Sequence, residues 1–131
     1  MFKKLFPNKI ISINKDNFNI LIIFMLIVFF LGLIYSLFFS PPDYIQGHSV
    51  RIMYVHVPTS ILTLVCFGLI GVTSIFNLIF KIKIFPIIAK SLAPVGLVLG
   101  IISIVTGSLW GKPTWGIWWV WDARLTSMLV L

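Results

Sequence analysis

Charge is scarce in this chain: only 10% of its 131 residues are Asp, Glu, Lys or Arg, while 60% are hydrophobic. A soluble domain carries roughly 25% charged residues and about half apolar ones, so water is not the main solvent of this fold. Cysteine is almost missing too. The lone Cys66 lies inside an apolar run, which excludes an intrachain disulfide, a paired-cysteine metal site and a C-x-x-C redox couple. It reads as a small buried apolar residue. No nucleophile-and-base constellation and no nucleotide-binding loop is visible, so no enzyme is expected, and any ATP hydrolysis would belong to a partner.

The charge that is present is lopsided, at a formal +7. A nucleic-acid binder gathers its Lys and Arg on one soluble face, whereas here most of them fall between long apolar runs. No nucleic-acid partner is expected, and the cations read as topology signals. Three runs, residues 20–39, 57–80 and 91–109, contain no Asp, Glu, Lys, Arg or His. Each suffices to cross ~30 Å of hydrocarbon at ~1.5 Å per helical residue. The expected fold is therefore all-α: a polytopic transmembrane helix bundle with three full spans and the start of a fourth at 125–131. Buried ionisable groups mark ion pumps and proton-coupled carriers, so their absence argues against transport chemistry within these spans and disfavours a quinone-site redox enzyme.

Residues 1–19 form a basic tail. The run after it is followed by Ser40-Pro41-Pro42, which is no small-residue cleavage site, so an uncleaved helix is expected. Phe2, Leu5 and Phe6, interleaved with Lys3 and Lys4, suit either an anionic lipid surface or a solvated tail. Lys3, Lys4, Lys9 and Lys15 precede the first span, and Lys81, Lys83 and Lys90 occupy the connection 81–90. By the positive-inside bias these are cytoplasmic. The connections 40–56 and 110–124 then face outward, holding only Arg51, Lys112 and Arg124 as cations. Pro58 and Pro94 fall near the starts of the second and third spans, where a missing N–H is tolerated. Gly96, Gly100, Ser103 and Gly107 make one small-residue stripe, a close-approach surface for another helix of the same chain or for a partner subunit.

The segment 110–124 reads WGKPTWGIWWVWDAR and holds all five tryptophans. An aromatic belt at the headgroups accounts for one or two of them. Five, interrupted by Gly111, Pro113 and Gly116, suggest a shaped platform. Indole offers a large rigid apolar face with an N–H at one edge, which suits a flat apolar ligand carrying a few polar groups. Haem fits, with propionates addressed by Lys112, Arg124 or Arg51; a sugar or a quinone would also stack, and a docking subunit without haem would use such aromatics as binding hot spots. In the other outward loop, His56 stands at the mouth of the second span, either as a structural histidine or as an axial ligand to haem iron. His48, after Gly47, reads as a solvated loop residue. Asp122 is a natural N-cap for the fourth helix. Asp122 and Arg124 are two apart and would not face each other on a helix, so no simple helical ion pair is expected between them. Without a C-x-x-C-H motif, haem would be held non-covalently.

The string from Trp110 through Gly111, Trp115, Gly116, Trp118, Trp119, Trp121, Asp122 and Arg124 resembles the WWD signature of haem-handling membrane proteins. The stretch Arg51-Ile52-Met53-Tyr54-Val55-His56-Val57-Pro58 resembles the first outward loop of one branch, the CcmC family of cytochrome c maturation. The resemblance runs from about residue 40 to 131. It implies haem b, bound transiently at the outer face by the WWD loop, with His56 as an axial iron ligand. It also implies handover to a CcmE-like haem chaperone beside the ABC-type subunits CcmA and CcmB and the small protein CcmD. The location implied is a bacterial inner membrane, or a mitochondrial one, with the N-terminus cytoplasmic and the WWD loop periplasmic. The family pattern continues with more helices and a second histidine-bearing outward loop, so the resemblance implies truncation after Leu131, with the second ligand lying beyond it.

Overall fold

A computed structural model describes residues 15–131. The tail residues 1–14, with the lipid-surface reading of Phe2, Leu5 and Phe6, lie outside the described residues. Four α-helices follow one another: α1 (Lys15–Ile34), α2 (Met53–Phe80), α3 (Ile84–Trp115) and α4 (Ala123–Val130). A π turn, Tyr35–Phe39, ends the first, and a 3-10 helix, His48–Ile52, leads into the second. No strand occurs among the described residues, so the fold is all-α. Three segments are long and apolar enough to cross a membrane: Asn17–Phe39, His48–Phe80 and Ile84–Trp115.

α2 and α3 form an antiparallel hairpin closed by Lys81, Ile82 and Lys83. Lys81 takes the left-handed conformation (φ 53°) that ends α2, its N–H reaching the Asn77 carbonyl at 2.9 Å. The seam between the two helices is small and polar. Its fully buried side chains are Thr63 and Ser103, with Cys66 and Thr73 close behind. A Cβ added at Gly96 would lie 3.2 Å from Cys66 Cβ and Phe67 Cε2, and one at Gly100 would lie 3.5 Å from Thr63 Cγ2. Between lipid-facing helices burial of apolar surface gives no net drive, and van der Waals packing between closely approached backbones replaces it. The small-residue stripe thus serves packing within the chain. α1 behaves differently. No described side chain between residues 17 and 39 is buried, so it is a helix apolar on all sides, facing lipid or other helices.

Several boundaries differ from those read in the sequence. α3 starts at Ile84, seven residues before the expected 91, because Pro86 suits a first helical turn and Lys90 does not interrupt a helix. The Lys81–Lys90 connection therefore shrinks to three residues, and Pro94 lies in the helix interior rather than near its start. At its other end α3 runs on through Trp115. A 32-residue helix is about 48 Å long at ~1.5 Å per residue, well beyond ~30 Å of hydrocarbon. A lysine near a span end can extend its ammonium along its apolar stem toward water, so Lys90 is compatible with a continuous helix.

Candidate functional site

The antiparallel hairpin brings the start of α2 and the end of α3 to the same level, so His56 and the tryptophans meet. His56 lies inside the first turns of α2 rather than in the loop before it. Pro58 withholds an N–H nearby, and hydroxyls brace the local backbone: Thr59 Oγ1 donates to the Val55 and His56 carbonyls at 2.8 and 3.0 Å, and Ser60 Oγ to the His56 carbonyl at 2.7 Å. Ser60 Oγ in turn bonds Ser103 Oγ at 2.5 Å. The imidazole crosses to α3, with Nδ1 3.0 Å from the Ser103 carbonyl and 3.3 Å from Thr106 Oγ1.

That contact sets the chemistry of the ring. A carbonyl oxygen only accepts, so Nδ1 carries the hydrogen, and in the neutral ring Nε2 then has the lone pair. Nε2 has no hydrogen-bond partner among the described residues, and it is not a buried orphan. A histidine whose Nδ1–H is held by a backbone carbonyl, with Nε2 open, is the arrangement by which proteins orient a metal-binding imidazole. The ring is seated by Gly107, where any Cβ would fall 2.8 Å from His56 Cε1 and 3.3 Å from Nδ1.

Trp110, Gly111 and Trp115 belong to the last turns of α3, not to a loop. The Trp110 ring centre lies 5.9 Å from that of His56 and 5.7 Å from that of Trp115, and the Trp110 Nε1–H donates to Gln46 Oε1 at 2.9 Å. Gly111 is buried under Trp115, where a Cβ would meet Trp115 Cε3 at 3.2 Å. Gly116 then stops the helix in the left-handed conformation (φ 79°), which favours glycine. Its N–H reaches the Lys112 carbonyl at 3.0 Å, and its own carbonyl accepts from Lys112 Nζ at 2.8 Å.

Beyond that stop, residues 116–122 have no regular structure. Lys112 Nζ lies 5.8 Å from the Trp118 ring centre, and Trp119 meets Trp121 edge-on at 5.6 Å. Trp118 and Trp121 are exposed, whereas Trp119 buries its Nε1–H without an acceptor among the described residues. Asp122 caps α4, Oδ1 accepting from the Leu125 N–H at 2.8 Å. The same carboxylate also pairs with Arg124, Oδ2 to Nη2 at 2.7 Å, as a pair at the cap rather than a helical one. The i, i+2 rule applies to two helical residues, and Asp122 is extended (φ −91°, ψ 169°). The Leu125 N–H, then the Arg124 guanidinium, hold the Asp122 carboxyl below its ordinary range. Arg124 also lies 5.8 Å from the Trp115 ring centre.

Two adjoining open clefts border this cluster. One, about 130 Å³, is lined by His56, Gly107, Trp110, Trp115, Arg124 and Leu125. The other, about 180 Å³, runs deeper past His56, Ser60, Ser103 and Met128. His56 and Arg124 therefore line the same space, with the Arg124 guanidinium paired to Asp122. Arg51 is not part of it, because its guanidinium donates to the Ser40 carbonyl (2.6 and 3.0 Å) and the Leu37 carbonyl (3.3 Å), capping the end of the first span. His48 is exposed. Among the described residues no three of His, Cys, Asp and Glu gather into a metal site, which leaves His56 as a single nitrogen donor. Sequence reasoning missed Gln46, Ser103 and Thr106. Ser103 and Gly107, one turn apart on the small-residue stripe, were the available signal for a ring seated there, whereas nothing marked Gln46 as the partner of a tryptophan 64 positions away.

The profile of the family described as "Heme exporter protein C" (CcmC) matches residues 2–131. The "Heme exporter protein C" of Haemophilus influenzae is 44% identical over 106 residues, covering 81% of this chain and 43% of that protein. Its Escherichia coli counterpart is 46% identical over 105 residues, with 80% and 43% covered. A "Putative cytochrome c biosynthesis ccmC-like mitochondrial protein" of Marchantia polymorpha is 42% identical over 96 residues, with 73% and 42% covered. The chain spans less than half the length of these curated relatives. On the match of profile and relatives, this multi-pass membrane chain belongs to the CcmC family, Heme exporter protein C.

Proposed function

We propose that this chain holds haem b transiently at the non-cytoplasmic face of the membrane and presents it for c-type cytochrome biogenesis. The observation that carries the reading is the imidazole of His56: Nδ1 is anchored on the Ser103 carbonyl, and Nε2 is left open beside Trp110 and a cleft that Arg124 shares. The residues fit the group. Nε2 would hold the iron, Trp110 and Trp115 would offer aromatic surface to the macrocycle, and Arg124 would offer charge to a propionate. Bound haem brings an iron that accepts the imidazole, while the chain's own part is to orient that imidazole and shield one face. Both clefts are smaller than the ~300–1,000 Å³ of a ligand-enclosing pocket. Haem would thus lie against the platform rather than inside it, as suits cargo that must leave again.

The exposed tryptophans 118 and 121 extend the platform outward and are the surface offered to a receiving CcmE-like chaperone, with CcmA, CcmB and CcmD as the neighbouring subunits that the family resemblance supplies. The lysines at 81, 83 and 90, at the opposite end of the hairpin, support a cytoplasmic N-terminus and a periplasmic tryptophan segment in a bacterial inner membrane. The test is a haem absorbance spectrum of the purified protein beside His56→Ala and a Trp118/Trp119 double alanine variant. The reading expects His56→Ala to lose its axial-ligand signature and most of its haem, and the double variant to lose haem retention. Unchanged haem content and spectra in both variants would overturn it.

A further inference from the structure

Trp110 is the tryptophan whose ring pairs with that of His56, their centres 5.9 Å apart, and its orientation is set from outside its own helix. Its Nε1–H donates to Gln46 Oε1 at 2.9 Å. An indole N–H only donates, so it must meet the carbonyl end of the Gln46 amide. The loop before the 3-10 helix is built to deliver that carbonyl. Asp43 Oδ1 accepts from the N–H groups of Ile45 (2.9 Å) and Gln46 (2.8 Å). Asp43 and Gly47 exchange both backbone bonds at 3.0 Å, and Gly47 turns the chain at φ 58°. At the tip Tyr44 and Ile45 are almost fully exposed, whereas Gln46 is half-buried and turned toward the tryptophan end of α3.

We propose that Gln46 is a positioning residue of the haem site: its side-chain carbonyl fixes the Trp110 indole in the orientation that packs on His56 and lines the cleft beside it. The inference rests on the haem reading above. Without Gln46 the indole has no other hydrogen-bond partner among the described residues, and only its ring contacts with His56 and Trp115 remain to orient it. The ring that backs the imidazole is then held less firmly, although Gln46 itself touches neither the imidazole nor the cleft. In chain order the device runs from Asp43, which shapes the turn, to Gln46, to Trp110, to His56.

The experiment compares the purified chain with Gln46→Leu, which removes the acceptor, and Gln46→Glu, which restores one. On haem-free protein, ultraviolet resonance Raman of the indole N–H band, assigned to Trp110 by difference against Trp110→Phe, reads the hydrogen bond directly. On haem-loaded protein, ferric electron paramagnetic resonance reads the ligand field, and titration reads affinity. The expected result is a band moved to its unbonded position in Gln46→Leu, altered g-values and roughly fivefold weaker haem binding, the loss of one ordinary hydrogen bond. Gln46→Glu should recover both spectra. A Trp110 band that stays put in Gln46→Leu overturns the inference. So does a band that moves while the ferric spectrum and affinity stay the same. A band that moves in Gln46→Leu while the unsubstituted protein binds no haem sinks the haem reading and the positioning role with it, leaving only the hydrogen bond.

Discussion

Trp110, Gly111 and Trp115 ride on the last turns of α3, whereas Trp118, Trp119 and Trp121 follow the stop at Gly116 in backbone without regular structure. The helical half is held from several sides: Gln46 on the Trp110 indole, His56 against its face, Gly111 beneath Trp115. In the second half Trp119 and Trp121 meet at 5.6 Å and Lys112 lies 5.8 Å from the Trp118 ring centre, but no hydrogen bond holds these three indoles among the described residues, and Trp121 is 76% exposed. One contiguous motif is thus divided by a single glycine into a preorganised wall and a presented surface. On the proposed haem reading, that division would let the fixed groups beside His56 set affinity while the exposed aromatics stay open to a partner.

The largest effect that sharpens this comparison is expected at Gly107. Valine there drives its Cβ into the His56 ring, 2.8 Å from Cε1, so the imidazole must leave its place on Ser103. We expect haem affinity to fall ~10–100-fold, as for loss of a group that orients a metal ligand, and stability to drop by about 1–3 kcal/mol from overpacking. Haem titration and a thermal melt in detergent check both. Next comes the contrast between the two halves. Trp115→Ala removes contacts with Trp110 and Gly111 and should cost at least ~0.5–1.5 kcal/mol, whereas Trp121→Ala should stay within about 0.5 kcal/mol. If Trp121→Ala destabilised as much as Trp115→Ala, the division into wall and surface would fail.

Ser60→Ala removes the hydroxyl bond to Ser103 in the hairpin seam and should cost about 0.6 kcal/mol, the average for interhelical bonds in lipid. The smallest effect concerns acid. The Asp122 carboxyl, bonded by the Leu125 N–H and by Arg124, titrates below its ordinary range in the folded chain. Its capping contribution is therefore complete above the unfolded carboxylate value and disappears only as pH falls through the lower folded value. Hydrogen exchange at Leu125 should accordingly stay slow through the ordinary carboxylate range and quicken only below it, and Asp122→Asn should flatten that dependence.

Hydropathy made the three spans legible because charge is excluded from hydrocarbon, and the capping role of Asp122 was legible because a carboxylate before an apolar run is a helix start. The ends of α3 were not. A lysine marks where a chain can reach water, not where helical hydrogen bonds stop, so Lys90 and Trp110 read as loop while the helix passed through both. The Asp122–Arg124 pair was not foreseen because the spacing rule considered two helical residues, whereas at this cap one partner is extended. Contacts that join distant segments left no local trace: Gln46 to Trp110, and Arg51 to the carbonyls of Ser40 and Leu37. Those ties exist only once the hairpin has set its register.

The central claim is that His56 Nε2 binds the iron, and the chain has just two histidines, which makes a direct test simple. Ferric haem-loaded protein carrying ¹⁵N-histidine, studied by pulsed electron paramagnetic resonance with His48→Gln and His56→Gln variants, reports which imidazole touches the metal. The account predicts a ¹⁵N coupling that survives in His48→Gln and vanishes in His56→Gln; a coupling that persists in His56→Gln, or none in the unsubstituted chain, would contradict it.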